Sequence, residues 1–301
     1  MKIFITGGSG FVGTKLALYL LENGHRIIAV GTSSAHKVID HDKFQYISAD
    51  TTIKGDWQDA LKDIDAVINL AGKNIFKRWS DTYKDQIYTS RILTTRNLVE
   101  AITDRKDIIF CSTSAVGYYG DRADEVLKED APPGNDFAAK VCRDWEKEAF
   151  QAQAKGVRVA AMRFGVVLGK DGGALAKMVP AFKSFAGGPL GSGLQWFPWI
   201  HMDDLIAAII FILETPDLKG PVNFCSPNPV RHRDFANALG QVLNRPSVLK
   251  APSFMIRMIM GEMGKSLMSS QRVIPDKLLK QGFKFQYPDI HNALYNLIGS
   301  R

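Results

Sequence analysis

Five short apolar runs punctuate the first half of the chain: Lys2–Thr6, Arg26–Val30, Phe44–Ala49, Ala66–Ala71 and Ile108–Ser112. They read as strands too apolar to leave one face in water, which is the pattern of a sheet covered on both sides. Between them lie stretches with helical spacing, such as Phe11–Asn23 and Arg91–Thr103. In the second stretch Ile92, Thr95, Leu98, Val99 and Ile102 fall on one helix face. The alternation predicts an α/β architecture, a doubly wound parallel sheet with helices on both faces. Val157–Phe164 supplies a further strand. Val222–Cys225 reads as a late strand returning to the same sheet.

The pattern changes after Gly165. Up to Ile200 the chain is rich in glycine and aromatics, and helical spacing dominates beyond. A boundary near 165 therefore divides a sheet domain over 1–165, joined by the returning strand at 222–225, from a smaller C-terminal lobe over 166–301.

With 301 residues, 46% of them apolar, the chain can bury a full core. No apolar run reaches the ~18 residues that a membrane span needs. The first strand starts at Lys2, so no leader peptide is expected. Cys111, Cys142 and Cys225 fit no zinc spacing and suggest buried thiols in a reducing, cytoplasmic setting. No metal site is expected. The net charge of +7 is carried by the C-terminal quarter: from Arg231 to Arg301 there are 11 Lys/Arg against 4 Asp/Glu, a difference of 7. That excess suits an anionic substrate or an acidic partner, or else forms a solvated basic face. No nucleic-acid motif accompanies it.

The most informative motif follows the first strand. Gly7-Gly8-Ser9-Gly10-Phe11-Val12-Gly13 runs directly into a helix. Glycines there let the backbone approach a pyrophosphate, and the helix start offers free N–H donors. Gly7, Ser9, Gly10, Phe11, Val12 and Gly13 are thus candidate cofactor contacts. The second strand ends in Gly31-Thr32-Ser33-Ser34, with no acid before Asp40 where an NAD enzyme carries one for the ribose hydroxyls. Thr32 and Ser33, with His36 and Lys37 nearby, suit a 2′-phosphate, so NADP is expected rather than NAD. The alternative is that these hydroxyls cap the next element. Asp50 reaches the adenine or caps a turn. Leu70, Ala71 and Gly72 lie against the cofactor or pack the strand end.

The stretches TGGSGFVG at 6–13, NLAG at 69–72, STSAVGYYG at 112–120, MRFGVVLG at 162–169 and WIHMDDL at 199–205 resemble the extended short-chain dehydrogenase/reductase superfamily of sugar-nucleotide epimerases and dehydratases. FAAKVCRDWEKEA at 137–149 and the segment from Ala238 to Asp289 resemble, more narrowly, its "epimerase family" subgroup with a C-terminal DUF1731-type domain, here spanning about 231–290. The resemblance covers nearly the whole chain. It implies a Rossmann-like NADP-binding domain with a small substrate lobe. It also implies oxidoreductase or epimerase-like chemistry on an unidentified carbonyl or hydroxyl compound, a nucleotide sugar among the candidates. Ser112 joins the implied cofactor contacts, and a homodimer is an open possibility.

The superfamily's catalytic set is Asn, Ser and a Tyr-x-x-x-Lys pair. Carried over, the serine falls on Ser114 and the asparagine on Arg91. The tyrosine position is Phe137, and four residues on stands Val141. Lys140 comes one residue early, a rotation of about 100° on a helix. Three readings follow. Chemistry survives with Tyr118 or Tyr119 as phenol, Ser114 polarising a carbonyl and Lys140 or Arg91 supplying positive charge. Alternatively the protein binds NADP without turnover, as a sensor or partner-binding module. In the third, 112–120 is a loop whose hydroxyls only satisfy backbone groups.

On the substrate side, Arg163 is expected in a structural ion pair, and Asp203 and Asp204 as caps of a following helix. Trp196 to Trp199 read as core packing. Met255, Met258, Ile259 and Met263 recur at helical spacing and predict a helix packed on the main domain. A lid, a dimer face or a membrane-surface helix are the alternatives.

Overall fold

The computed structural model describes residues 1–36, 38–104, 106–170 and 172–299. Lys37 lies outside the described residues. Seven parallel strands form the main sheet: β1 (Lys2–Thr6), β2 (Arg26–Gly31), β3 (Phe44–Ser48), β4 (Ala66–Asn69), β5 (Ile109–Ala115), β6 (Arg158–Phe164) and β7 (Gly220–Phe224). Their order across the sheet is β7-β6-β5-β4-β1-β2-β3. The late strand does return, pairing Val222 with Met162. The order reverses between β1 and β4, and open α/β sheets hold their ligands above that point.

Alternate residues of each strand feed two cores. Ile3, Ile5, Ala29, Ile68 and Met162 pack under α1 (Phe11–Glu22) and the helix Met202–Glu214. Phe4, Val30, Val67, Phe110 and Val159 pack under α2 (Asp81–Ala101) and α3 (Phe137–Phe150). Ile92, Thr95, Leu98, Val99 and Ile102 are all buried, as their spacing requires. However, α2 begins ten residues before Arg91, with Ser80 accepting the Tyr83 N–H at 3.2 Å. Its first turns are polar and half exposed, so they carry no apolar period.

The C-terminal lobe has its own core, in which Leu175, Phe182, Trp199, Phe235, Leu239 and Leu294 meet. Two expectations are corrected here. Asp203 and Asp204 do not cap the helix Met202–Glu214; His201 does, its Nδ1 accepting the Asp203 N–H at 3.1 Å. Asp204 instead accepts the N–H groups of Gln286 and Tyr287 at 2.7 and 3.0 Å, fastening the lobe's last segment to the sheet domain. Trp199 is core, but Trp196 is not. Its indole meets the guanidinium groups of Arg231 and Arg272, at 4.0 and 4.7 Å from the ring centroid.

His232 is buried in this lobe beside Phe197 and Phe235, with Nδ1 accepting the Leu190 N–H. Burial pushes its pKa down to about 4. The unfolded chain therefore takes up this proton first as pH falls. Stability is complete above the ordinary value of 6.5 and declines between 6.5 and about 4. The loss expected over that window is roughly 3 kcal/mol. Urea unfolding against pH should show this slope. It should flatten in His232→Asn, whose amide oxygen can take the same Leu190 N–H.

Candidate functional site

A cleft of about 510 Å³ opens above the carboxyl ends of β1, β2 and β4. Gly7, Ser9 and Gly10 form its floor, Thr32 and Asp50 one end, and Leu70, Ala71 and Gly72 the facing wall. The glycines are needed where the chain is tightest. Gly7 has φ +67°, and a Cβ there would stand 2.9 Å from the Leu70 carbonyl. At Gly13 a Cβ would stand 2.3 Å from the Gly7 oxygen, so this glycine serves the packing of α1 onto the turn. No side chain caps the start of α1. The N–H groups of Phe11, Val12 and Gly13 thus have no intrahelical acceptor, and the positive end of the helix dipole faces the cleft floor. Donors and space of this kind fit a dinucleotide pyrophosphate.

Phe11, Val12 and Gly13 contribute backbone rather than cleft surface; the Phe11 ring packs against Gly169, Gly172 and Gly173. Thr32 and Ser33 are exposed just beyond β2. Asp50, at the same end of the cleft, accepts from the Thr52 N–H and hydroxyl at 2.9 and 2.7 Å, both through Oδ1. Ser112 lies deeper than the cofactor reading requires. It is 1% exposed and accepts from Asn69 Nδ2 at 3.3 Å. Asn69 also accepts from Thr6 Oγ1 and donates to Thr95 Oγ1, while Trp145 Nε1 donates to Thr95 as well. This buried polar layer ties β1, β4, β5, α2 and α3 together beneath the cleft. Residues that sequence reasoning missed, among them Gly31, Ala49, Asn74, Gln86 and Ser90, also line the cleft. Small residues at strand ends were a usable signal for the first two. Gln86 and Ser90 sit on the part of α2 that has no apolar period.

The structure separates the predicted catalytic residues. Ser114 is 1% exposed, and its hydroxyl donates to Glu146 Oε1 at 2.7 Å. Glu146 receives two further bonds, from Arg163 Nε and Nη2, both 2.8 Å. Arg163 Nη1 reaches the Tyr119 hydroxyl at 2.9 Å and the Glu129 carbonyl at 3.0 Å. Tyr119 in turn donates to Asn223 Oδ1 at 2.6 Å. Burial opposes the Arg163 cation, but the bonds and charge of Glu146 outweigh it and raise its pKa. Tyr119 is wholly buried, and burial raises its pKa above the usual phenol value. A phenol held protonated and engaged in two bonds is a poor proton relay. Ser114 and Tyr119 therefore belong to one buried network with the Arg163–Glu146 pair, and the expectation of that ion pair is met.

Tyr118 differs. It is half-buried, its ring faces the Arg163 guanidinium at 3.6 Å, and its hydroxyl has no hydrogen bond among the described residues. Arg91 stands beside Gly72 of the cleft wall. A Cβ on Gly72 would meet its guanidinium at 3.0 Å, and its Nη atoms donate to the carbonyls of Ile87 and Lys73. No carboxylate pairs with it among the described residues, and burial lowers its pKa to about 10, so it remains a cation at neutral pH. Lys140 is exposed and lies 5.9 Å from the Tyr88 ring, on the solvent side of α3. Phe137 occupies the start of α3 with Trp79 edge-on at 5.2 Å and Lys84 5.3 Å from its ring. Thr113, between the two serines, has a buried hydroxyl without a partner among the described residues.

A glycine turn, an uncapped helix start and a cleft at the sheet's reversal point define a Rossmann-type dinucleotide fold. Residues 3–224 match the family model of the NAD dependent epimerase/dehydratase family, and residues 251–297 match a domain of unknown function, DUF1731. The chain belongs to that epimerase/dehydratase family. It is 41% identical over 300 residues to the chloroplastic epimerase family protein SDR39U1 homolog of Arabidopsis thaliana, covering 98% of this chain and 86% of that one. It is also similar to the human epimerase family protein SDR39U1 solved with NADPH, at 30% identity and a TM-score of 0.87 over 99% of both chains. At 20% identity and a TM-score of 0.79, the UDP-glucuronic acid 4-epimerase of Bacillus cereus shares the fold over 99% of both chains. No helix among the described residues is long and apolar enough to cross a membrane.

Proposed function

We propose that the protein is an NADP(H)-dependent oxidoreductase or epimerase-like enzyme acting on a small carbonyl or hydroxyl compound of anionic or polar character. The observation that carries this reading is the cleft floor, where Gly7, Gly10 and the uncapped start of α1 leave donors and space for a pyrophosphate. Thr32 and Ser33 at the end of β2 hold the adenosine side, and Gly72 and Arg91 flank the opposite wall. The bound cofactor supplies or accepts a hydride at its nicotinamide ring. The chain's own residues supply the rest. Tyr118 donates or accepts the proton through its unengaged hydroxyl, and Arg163 stacks on its ring. Arg91 holds negative charge at the wall. Ser114 positions Arg163 through Glu146, and Tyr119 does so by accepting directly from Arg163 Nη1, rather than meeting substrate.

NADPH oxidation followed by absorbance across a panel of carbonyl compounds tests this reading. Tyr118→Phe is expected to lower turnover by about 10²–10⁴-fold, the usual worth of a general acid, with NADPH affinity unchanged. Tyr119→Phe is expected to lower thermal stability by about 1–3 kcal/mol instead, because it strands buried partners. Equal turnover in wild type and Tyr118→Phe overturns the assignment of Tyr118. For the cofactor, Thr32→Ala with Ser33→Ala should weaken NADPH at least tenfold while leaving NADH within about twofold, since hydroxyl bonds to a charged phosphate are worth ~1.5–3 kcal/mol. A clear NADH preference in the wild type contradicts it.

A second reading rests on Phe137. With no phenol at the first turn of α3, the protein binds NADP(H) as a sensor or partner-binding module. Tight NADPH binding with no oxidation by any compound of the panel favours it.

A further inference from the structure

The lobe's edge carries apolar surface that the cleft does not use. Val248 and Leu249 are 76% and 55% exposed, and the helix Ser253–Met260 that follows exposes Phe254, Met258 and Ile259 by 69%, 65% and 64%. Met255 is 41% exposed. At about 100° per residue, Phe254, Met258, Met255 and Ile259 span an arc of roughly 140°. Ile256, on the other side, is the buried residue of this helix. The spacing of Met255, Met258 and Ile259 thus marks an outward face, which corrects the expectation of a packed one for these three; Met263 is buried, on the separate helix Glu262–Leu267. Backbone bonds fix the arrangement: Leu249 N–H bonds to the Gly187 carbonyl and Gly191 N–H to the Ala251 carbonyl, holding the segment against the turn that bears exposed Phe185.

Cations edge this surface. From Arg245 to Leu267 the chain holds Arg245, Lys250, Arg257 and Lys265 against one acid, Glu262. Glu262 is already ion-paired with Lys84. Arg257 lies about 60° from Phe254 around the helix, at the border of the apolar arc. Arg245 covers the Phe185 ring at 4.8 Å. Lys250, Arg257 and Lys265 have no acidic partner among the described residues.

We propose that this face seats on an anionic lipid surface. Phe254, Met258 and Ile259 enter the headgroup region while Lys250 and Arg257 meet lipid phosphates. An apolar arc bordered by unpaired cations is what an interfacial helix requires. Charge decides between occupants: a second copy would bring the same unpaired cations against these, whereas an anionic bilayer neutralises them. These side chains are largely exposed, which suits insertion.

Cosedimentation of the full chain with phosphatidylcholine vesicles, with and without phosphatidylglycerol, tests the proposal. The protein should pellet with the anionic vesicles, and added salt should release it. Phe254→Ser with Ile259→Ser should weaken pelleting more than tenfold with unchanged circular dichroism, these residues being exposed. Lys250→Gln and Arg257→Gln should each weaken it about fivefold, on the ~1 kcal/mol a basic residue contributes near an anionic surface. Protein that stays in the supernatant, or pelleting that ignores Phe254→Ser with Ile259→Ser, overturns the proposal. A dimer that the same double substitution dissolves, with no pelleting, assigns the face to a second copy instead. Binding of an acidic amphipathic peptide through the same residues, again without pelleting, assigns it to a protein partner.

Discussion

Glu146→Ala should destabilise the protein by about 3–5 kcal/mol, the usual result of stripping one partner from a buried ion pair. Glu146 accepts from Ser114 and twice from Arg163, whose side chain is 2% exposed. Removing the carboxylate leaves a guanidinium buried without a counter-charge and strands the Ser114 hydroxyl. The effect should spread, because Arg163 also holds Tyr119 and the Glu129 carbonyl. Glu129 in turn accepts the N–H groups of Asn223 and Lys277, joining β7 to the C-terminal lobe. Thermal unfolding should therefore shift down by roughly 10 °C for a chain of this size. Ser114→Ala offers the comparison. It removes one donor and leaves Glu146 with both Arg163 bonds, so a loss near 1 kcal/mol is expected. A Ser114→Ala variant as unstable as Glu146→Ala would contradict this division of roles.

Gly10→Ala should abolish tight cofactor binding while leaving the fold intact. Its Cβ would stand 3.1 Å from the Gly7 oxygen, a close contact that a small shift relieves. The backbone there is in the extended region, at φ −82°, which alanine adopts without strain. The added methyl points toward the space that the pyrophosphate needs. Displacing that group forfeits charge-assisted bonds of about 1.5–3 kcal/mol each, so NADPH affinity should fall at least 100-fold. Gly13→Ala is a poorer probe. Its Cβ would stand 2.3 Å from the Gly7 oxygen, so loss of folding and loss of binding would be confounded.

Most of the sheet was legible in the sequence because its inner strands are buried on both faces and read as apolar runs; the edge strand β3 departs from that expectation, with no buried residue and Gln45 and Ser48 exposed. The glycine turn was legible for a related reason: backbone that must crowd a ligand and a helix together tolerates little else. The catalytic reading was less legible. Ser114 and Tyr119 are polar residues at a strand's end in sequence, yet the alternation of β5 turns Ser112 and Ser114 inward, toward α2 and α3. Their partners, Glu146, Asn223 and Asn69, lie between 32 and 104 residues away or across the sheet, where no local period points to them. The outward face of the Ser253–Met260 helix shows the converse limit. Spacing reported an apolar face correctly but could not say which way it turned. Thr113 had no sequence signal at all, since an unpartnered hydroxyl is visible only once its neighbours are placed.

Titration of the purified protein with NADPH, followed by cofactor fluorescence, tests the central claim most directly. The account predicts saturable binding at one cofactor per chain, retained in Tyr118→Phe and lost in a folded Gly10→Ala. No saturable binding in the wild type, or undiminished binding in Gly10→Ala, would contradict it.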